Sequence, residues 1–248
     1  MTDVFRDTLG RNTFKRKYAL NEDDTWPELC HRLVDDVCGT RGGTTAPIMS
    51  RTDRDYLEHE VLGKMKFIPG GRYLYYAGRP AHFWNNCFVF IGQEDTREEW
   101  ARVCHDSMSA LSCGGGVGHD YSIFRPAGRL LRRTGGTASG PIPLCKAVNE
   151  IGRQVMQGGS RRSAMYGSLA REHEDIWEWL TVKDWHSQLV AGTGLTVWDL
   201  KNLDFNYPAP LDMTNISTNY GDEWLAIPDR DKDPVFLKNV EQALRTAE

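Results

Sequence analysis

From about residue 85 onward, short strand-like runs alternate with stretches of helical period, and glycine clusters punctuate them. "CFVFIG" is followed by a helix that Thr96 and Glu99 cap, with Trp100, Val103, Cys104, Met108 and Leu111 along it. "HDYSIF", "RRSAMYGSLA" and "DMTNIST" read as further strands. Between them lie a helix opening at Ser139 and Pro141 and running through Leu144, Val148 and Ile151, and a short helix in "HEDIWEWLTVK". Parallel neighbours need a crossover, usually a helix, so this alternation predicts an α/β fold with parallel strands.

The segment before it reads differently. In "DDTWPELCHRLVDDVCG", Thr25 and Glu28 form a capping box, Leu29, Leu33, Val34 and Val37 share one face, and Gly39 ends the helix. A second helix is expected over Asp53 to Met65. Residues 1–65 are therefore predicted to be a small helical region and residues 66–248 the α/β part. "IPGGRYLYYAG" reads as a turn leading into β-favouring aromatics. At the far end, Asp233 and Pro234 begin a helix with Leu237, Val240 and Leu244 on one face.

Composition narrows the function. The chain of 248 residues is 40% hydrophobic and carries a formal charge of -4, which implies a sizeable core and no nucleic-acid footprint. No apolar run is long enough for a bilayer, and the N-terminus lacks the apolar core of a secretion signal, so a cytoplasmic protein is expected. None of the six cysteines forms a C-x-x-C pair, and the histidines are scattered, so no metal site is expected. Cys30, Cys104 and Cys145 fall on or beside apolar helix faces and read as buried thiols.

Three glycine clusters remain: "GGGVG" (Gly114 to Gly118), "RRTGGTASG" (Arg132 to Gly140) and "QGGSRRSA" (Gln157 to Ala164). Glycine lets a backbone approach phosphate closely, and the neighbouring Arg125, Arg129, Arg132, Arg133, Arg161 and Arg162 supply bidentate partners. One such loop is most simply a turn with solvated charges. Three in succession, at the ends of strands and helices in an α/β pattern, imply a nucleotide. No P-loop is present, and His119 stands at the last glycine position of G-x-G-x-x-G. Asp95 is either part of the helix-initiating cluster "QEDTREE" or an acceptor for a sugar hydroxyl. Cys87, behind Asn85 and Asn86, is either core filling or a placed thiol. Spacing alone favours the core.

The order of motifs supplies more. "FIPGGRYLYYAG", "NNCFVF", "GGGVGHDYSIFRPAG", "RRTGGTASGPIPL", "NEIGRQVMQGGSRRSA" and "HEDIWEWLTVK" together resemble the catalytic chain of a ribonucleotide reductase, from about Lys66 to Lys183, with weaker likeness to Asn219. "GGRYLY", "GGTASGP" and "GGSRRSA" are most similar to the adenosylcobalamin-dependent class II, with an iron- or manganese-dependent class I chain as the alternative. The resemblance implies the N-terminal portion of a ten-stranded α/β barrel, preceded by the helical region. It makes Cys87 one of two cysteines that reduce the substrate and then form a disulfide. It places Asn86 beside the ribose, and Gly71, Arg72 and Tyr73 near substrate phosphate. Asp95, or Glu94, would meet the effector sugar, and Arg125 the phosphates of a dNTP effector. Gln157, Gly158, Gly159 and Ser160 would belong to the loop that relays effector identity, and Arg161 would contact the substrate, a nucleoside di- or triphosphate.

The sequence also departs from the family. No N-x-C-x-E motif, which carries the radical cysteine, occurs in these residues, and neither does the second redox cysteine. The expected partners are thus a C-terminal reductase polypeptide carrying N-x-C-x-E, a thioredoxin-like reductant and a possible second copy of the chain. A split gene or an intein site would account for such a division. The same absence motivates an alternative, a nucleotide-binding regulatory module without a catalytic role. A partial barrel is expected to expose sheet edges and apolar patches.

Overall fold

The computed structural model describes residues 4–39, 48–81, 83–132, 134–155 and 163–245. Contacts divide it into two units, residues 1–86 and 87–248, each with its own core.

The first unit is helical: α1 (Thr8–Lys17), α2 (Trp26–Cys38), α3 (Arg51–Tyr56), which continues as a π-helical turn over Leu57–Leu62, and α4 (Gly71–Tyr76). Thr25 caps α2 through the expected box with Glu28. Phe14, Trp26, Leu29, Cys30, Leu33 and Leu62 are buried together. The "GGRYLYY" stretch is helix rather than strand. Leu74 and Ala77 are buried in the same core, and the Asp36 carboxylate accepts from Gly78 N at 2.5 Å. Arg32 is bidentate to Asp24 at 2.7 and 2.8 Å and donates to Ala77 O at 3.2 Å. These ties override the β preference of the aromatics. They also carry the contact boundary to Asn86, beyond the expected break at residue 65.

The second unit contains β1 (Cys87–Ile91), α5 (Arg97–Ser112), β2 (Gly116–Asp120), α6 (Pro141–Gln154), β3 (Met165–Ala170), α7 (Ile176–Thr181), α8 (Val197–Leu203), β4 (Thr214–Asn219), α9 (Asp222–Leu225) and α10 (Pro234–Arg245). The strands form one sheet in the order β1-β2-β3-β4, every pair parallel, as the alternation predicts. The register aligns Cys87 with Gly116, Gly118 with Tyr166 and Tyr166 with Asn215. Val117, Met165 and Leu169 belong to the helix-packed core with Leu111, Leu144, Cys145, Val148 and Trp179. The last helix leaves Leu237, Val240 and Leu244 exposed.

One glycine cluster is placed differently from its reading. The strand begins inside "GGGVG", so Gly116 and Gly118 are β2 residues rather than loop residues. His119 points into the helix layer, buried between the rings of Phe90 and Tyr121. Ser107 Oγ donates to Val103 O at 2.6 Å, so its lone pair accepts from His119 Nε2–H at 2.7 Å. Burial lowers the His119 pKa from 6.5 to about 4, outweighing the Phe90 backbone and nearby Asp106, which raise it. Between pH 6.5 and 4 the unfolded chain binds a proton that the folded chain refuses. The stability from neutral His119 is therefore complete above pH 6.5 and falls by about 1.4 kcal/mol per unit below it, ~3 kcal/mol in all. Urea midpoints of wild type and His119→Gln from about pH 7.5 to about pH 4.5 test this; the variant should lack that component of the slope.

Candidate functional site

Alternation along β1 decides the position of Cys87. Phe88 and Phe90 stack at 6.2 Å and pack against the core, so Cys87, Val89 and Ile91 take the other face. That face is uncovered among the described residues: Cys87 is exposed, and Val89 and Ile91 are 75% and 62% exposed. Core filling is excluded for this thiol. Its neighbours across the sheet are glycines. A Cβ placed on Gly116 would lie 3.7 Å from Cys87 Sγ and 3.1 Å from Ala164 O, so the absent side chain leaves the thiol clear on that side. Gly118 likewise leaves room for the Tyr166 ring, which is exposed on the same face. A thiol over a glycine floor, on a face with room above it, is accessible to a bound molecule.

The other cysteines contrast with it. Cys30 and Cys145 are buried, and burial pushes both thiols up to about 12. The thiolate is the reactive form, so these two are inert packing groups, as expected. Cys104 is half-buried and also raised by burial.

The same face carries a polar set at the carboxyl ends of its strands. Asn219 Nδ2 donates to Asp120 Oδ2 at 3.2 Å and to Ser168 Oγ at 3.1 Å, while Ser122 Oγ donates to Asp120 Oδ1 and accepts from Ala170 N at 2.7 Å. These bonds pin β2, β3 and β4 in register. Sequence reading missed them, along with Tyr166 and the glycine floor; counting alternate residues outward from Gly116 would have found the last two.

A second site lies beyond the ends of β1 and β2. A groove of about 870 Å³ is lined by Asp95, Trp100, Phe124, Arg125, Arg132 and Thr137, among others. Arg125 Nε donates to Asp95 Oδ2 at 2.5 Å and its Nη2 to Asp95 O at 2.9 Å. The two residues read as effector ligands are thus brought together, as an ion pair. The loop that carries "RRTGGTASG" closes as a small hairpin, with Leu130 bridged to Thr137 and Ala138 N donating to Arg129 O at 2.8 Å. Gly135 and Gly136 stand at φ 70° and 79° with open space on the side a Cβ would take, so they serve the turn's left-handed backbone.

Other sequence candidates fall elsewhere. Arg72 is buried at 8% exposure, donates to Phe83 O at 3.3 Å and lies over the Tyr76 ring, while Tyr73 stacks on Trp84 at 5.2 Å. These are packing roles within the helical unit, and Gly71 opens a helix of only six residues there. Asn86 and Glu94 are exposed. Gln157, Gly158, Gly159, Ser160 and Arg161 lie outside the described residues. Among the described residues no group of three or more His, Cys, Asp or Glu could hold a metal, and no helix is long and apolar enough to cross a membrane.

The second unit is thus a parallel α/β sheet with an exposed thiol on its first strand. Residues 85–201 match the family model described as ribonucleotide reductase, barrel domain. The vitamin B12-dependent ribonucleoside-diphosphate reductase of Thermoplasma acidophilum is 28% identical over 184 residues, 74% of this chain and 23% of that one. The large subunit of ribonucleoside-diphosphate reductase from Arabidopsis thaliana is 24% identical over 188 residues, 75% of this chain and 22% of that one. Among solved structures, the class Id ribonucleotide reductase alpha subunit of Actinobacillus ureae has a TM-score of 0.68 at 17% identity, over 98% of this chain and 39% of that one. The chain thus resembles part of a ribonucleotide reductase barrel, preceded by helices, and spans less than a quarter of the length of these curated relatives.

Proposed function

We propose that this chain supplies a ribonucleotide reductase with one of its substrate-reducing thiols and with its effector groove. The observation that carries this reading is the exposure of Cys87 on the uncovered face of β1, with Gly116 opposite. The overall reaction takes a ribonucleotide and two thiols to a deoxyribonucleotide, a disulfide and water. Loss of the 2′-hydroxyl consumes two electrons, so Cys87 acts with a second cysteine, and a thioredoxin-like dithiol restores the pair. The second cysteine and the radical cysteine of N-x-C-x-E come from reductase polypeptide beyond these residues.

We assign the chain to the adenosylcobalamin-dependent class. Its motifs resemble that class most, and the Thermoplasma relative is named as vitamin B12-dependent. The cofactor supplies the initiating radical, and Cys87 serves the later thiol chemistry. The protein's own part is to present the thiol, keep the surroundings of the sugar free of side chains and read a second nucleotide in the groove. The test is deoxyribonucleotide formation by the chain together with the remaining reductase polypeptide. Turnover that requires adenosylcobalamin supports the class II assignment; turnover that requires an iron- or manganese-loaded subunit instead places the chain in class I.

A further inference from the structure

Tyr166 stands on β3, with β2 on one side and β4 on the other, yet it is 42% exposed. Its hydroxyl has no hydrogen-bond partner among the described residues. A tyrosine usually buries its ring and finds a partner for its hydroxyl, so both halves of this side chain are unused. Its neighbours keep the space around it open. A Cβ on Gly118, opposite it on β2, would meet Tyr166 Cδ1 at 3.5 Å, and that side chain is absent. Asn215, opposite it on β4, is exposed and likewise without a partner among the described residues. Apart from Cys87 and Tyr166, the only ionisable group that the four strands turn to this face is the Asp120 carboxylate, and none is a cation. A phosphate therefore finds no counter-charge on these strands, whereas a flat neutral group finds a ring to lie on. Cys87 shares the face, two strands away and two residues back along the register. Strand spacing and rise put the two Cα atoms about 12 Å apart, a gap of the size one nucleoside bridges between the two side chains.

We infer that Tyr166 is a specificity residue for the substrate, whose nucleobase lies on its ring while the sugar meets Cys87. The inference rests on the reading of Cys87 as a substrate-reducing thiol. Stacking on the ring is open to every base, because each has a π-face. Asn215 beside it offers an amide donor and an acceptor to the edge of the base. The ring therefore selects nucleotides over sugar phosphates that lack a base, and it sets how tightly the substrate is held rather than how the thiol reacts.

Kinetics of the assembled reductase test this with two probes: cytidine di- or triphosphate, whichever it reduces, and ribose 5-phosphate as a competitor without a base. Tyr166→Val keeps a strand-forming residue, and Tyr166→Phe keeps the ring. Tyr166→Val should raise KM for the cytidine nucleotide about tenfold or more, a larger change than in kcat, and leave the inhibition constant of ribose 5-phosphate within about twofold. Tyr166→Phe should hold KM within about threefold of wild type. Melting curves that match wild type certify that both variants fold. An unchanged KM in Tyr166→Val overturns the base contact, and so does an equal loss of affinity for ribose 5-phosphate; either result leaves Cys87 in its role so long as Cys87→Ser stops turnover. Full turnover by Cys87→Ser removes the thiol on which the inference rests, and both readings fall.

Discussion

Serine in place of Cys87 is expected to cut dithiol-dependent deoxyribonucleotide formation by the assembled reductase at least about a thousandfold, ~4 kcal/mol of transition-state stabilisation. A hydroxyl has nearly the same size but cannot give up an electron to form a disulfide. The thiol is exposed and no core residue leans on it, so the change should leave stability within about 0.5 kcal/mol. That separation makes the prediction specific. A drop in turnover with an unchanged melting curve assigns the loss to chemistry. Cys145→Ser should behave in the opposite sense, because it places a hydroxyl in the fully buried layer between α6 and the sheet. Full turnover by Cys87→Ser would remove this residue from the reaction.

The largest stability effect is expected at Asp212, just before β4. Its side chain is 3% exposed and receives Arg153 at 2.6 and 2.8 Å, Lys201 at 2.8 Å and Asn149 at 3.3 Å. Asn149 in turn accepts from Met213 N at 3.0 Å and Thr214 Oγ1 at 2.9 Å. One carboxylate thus joins α6, α8 and the start of β4. Burial pushes its pKa up, but the donors from Arg153, Lys201 and Asn149 outweigh that and hold it below the ordinary value. Asp212→Ala leaves half-buried Lys201 without its counter-charge and Arg153 with Glu150 alone, which costs about 3 kcal/mol. Urea denaturation followed by tryptophan fluorescence measures this. With a lowered folded pKa, the contribution of Asp212 is complete above pH 3.8 and is lost as pH falls through the folded value. A loss under about 1 kcal/mol in Asp212→Ala would show the network to be incidental.

Much of the second unit was legible because each strand and helix announces itself locally. "CFVFIG", the Thr96 cap, the Pro141 start and "DMTNIST" all became the elements expected of them. Parallel pairing followed from the alternation. What failed were segments whose conformation depends on distant partners. "GGRYLYY" has strand-forming residues but is held as helix by Asp36, Arg32 and the buried Leu74. "GGGVG" reads as a loop by composition, but β2 starts within it because β1 and β3 supply hydrogen-bonding edges on both sides. The cap of α8 was readable, as Thr196 and Asp199 form a capping box, and it was overlooked. The Asp212 network joins α6 to a carboxylate 59 positions further on, and no local pattern announces it.

The site was legible in a different way. Residue chemistry alone favoured packing for Cys87, and the resemblance of the motifs pointed instead to catalysis. The structure adds an independent ground, since alternation from Phe88 and Phe90 turns the thiol away from the core. Asp95 and Arg125 were named separately from the sequence; that they contact each other depends on the β1–β2 register, which only the fold fixes.

The most direct test follows the sulfur itself. The assembled reductase is given a ribonucleotide without external dithiol, allowed to turn over, quenched in acid and alkylated, and the Cys87 peptide is quantified by mass spectrometry. The account predicts that alkylatable Cys87 disappears in step with the deoxyribonucleotide formed and returns on addition of dithiol. Deoxyribonucleotide accumulating while Cys87 stays fully alkylatable would contradict it.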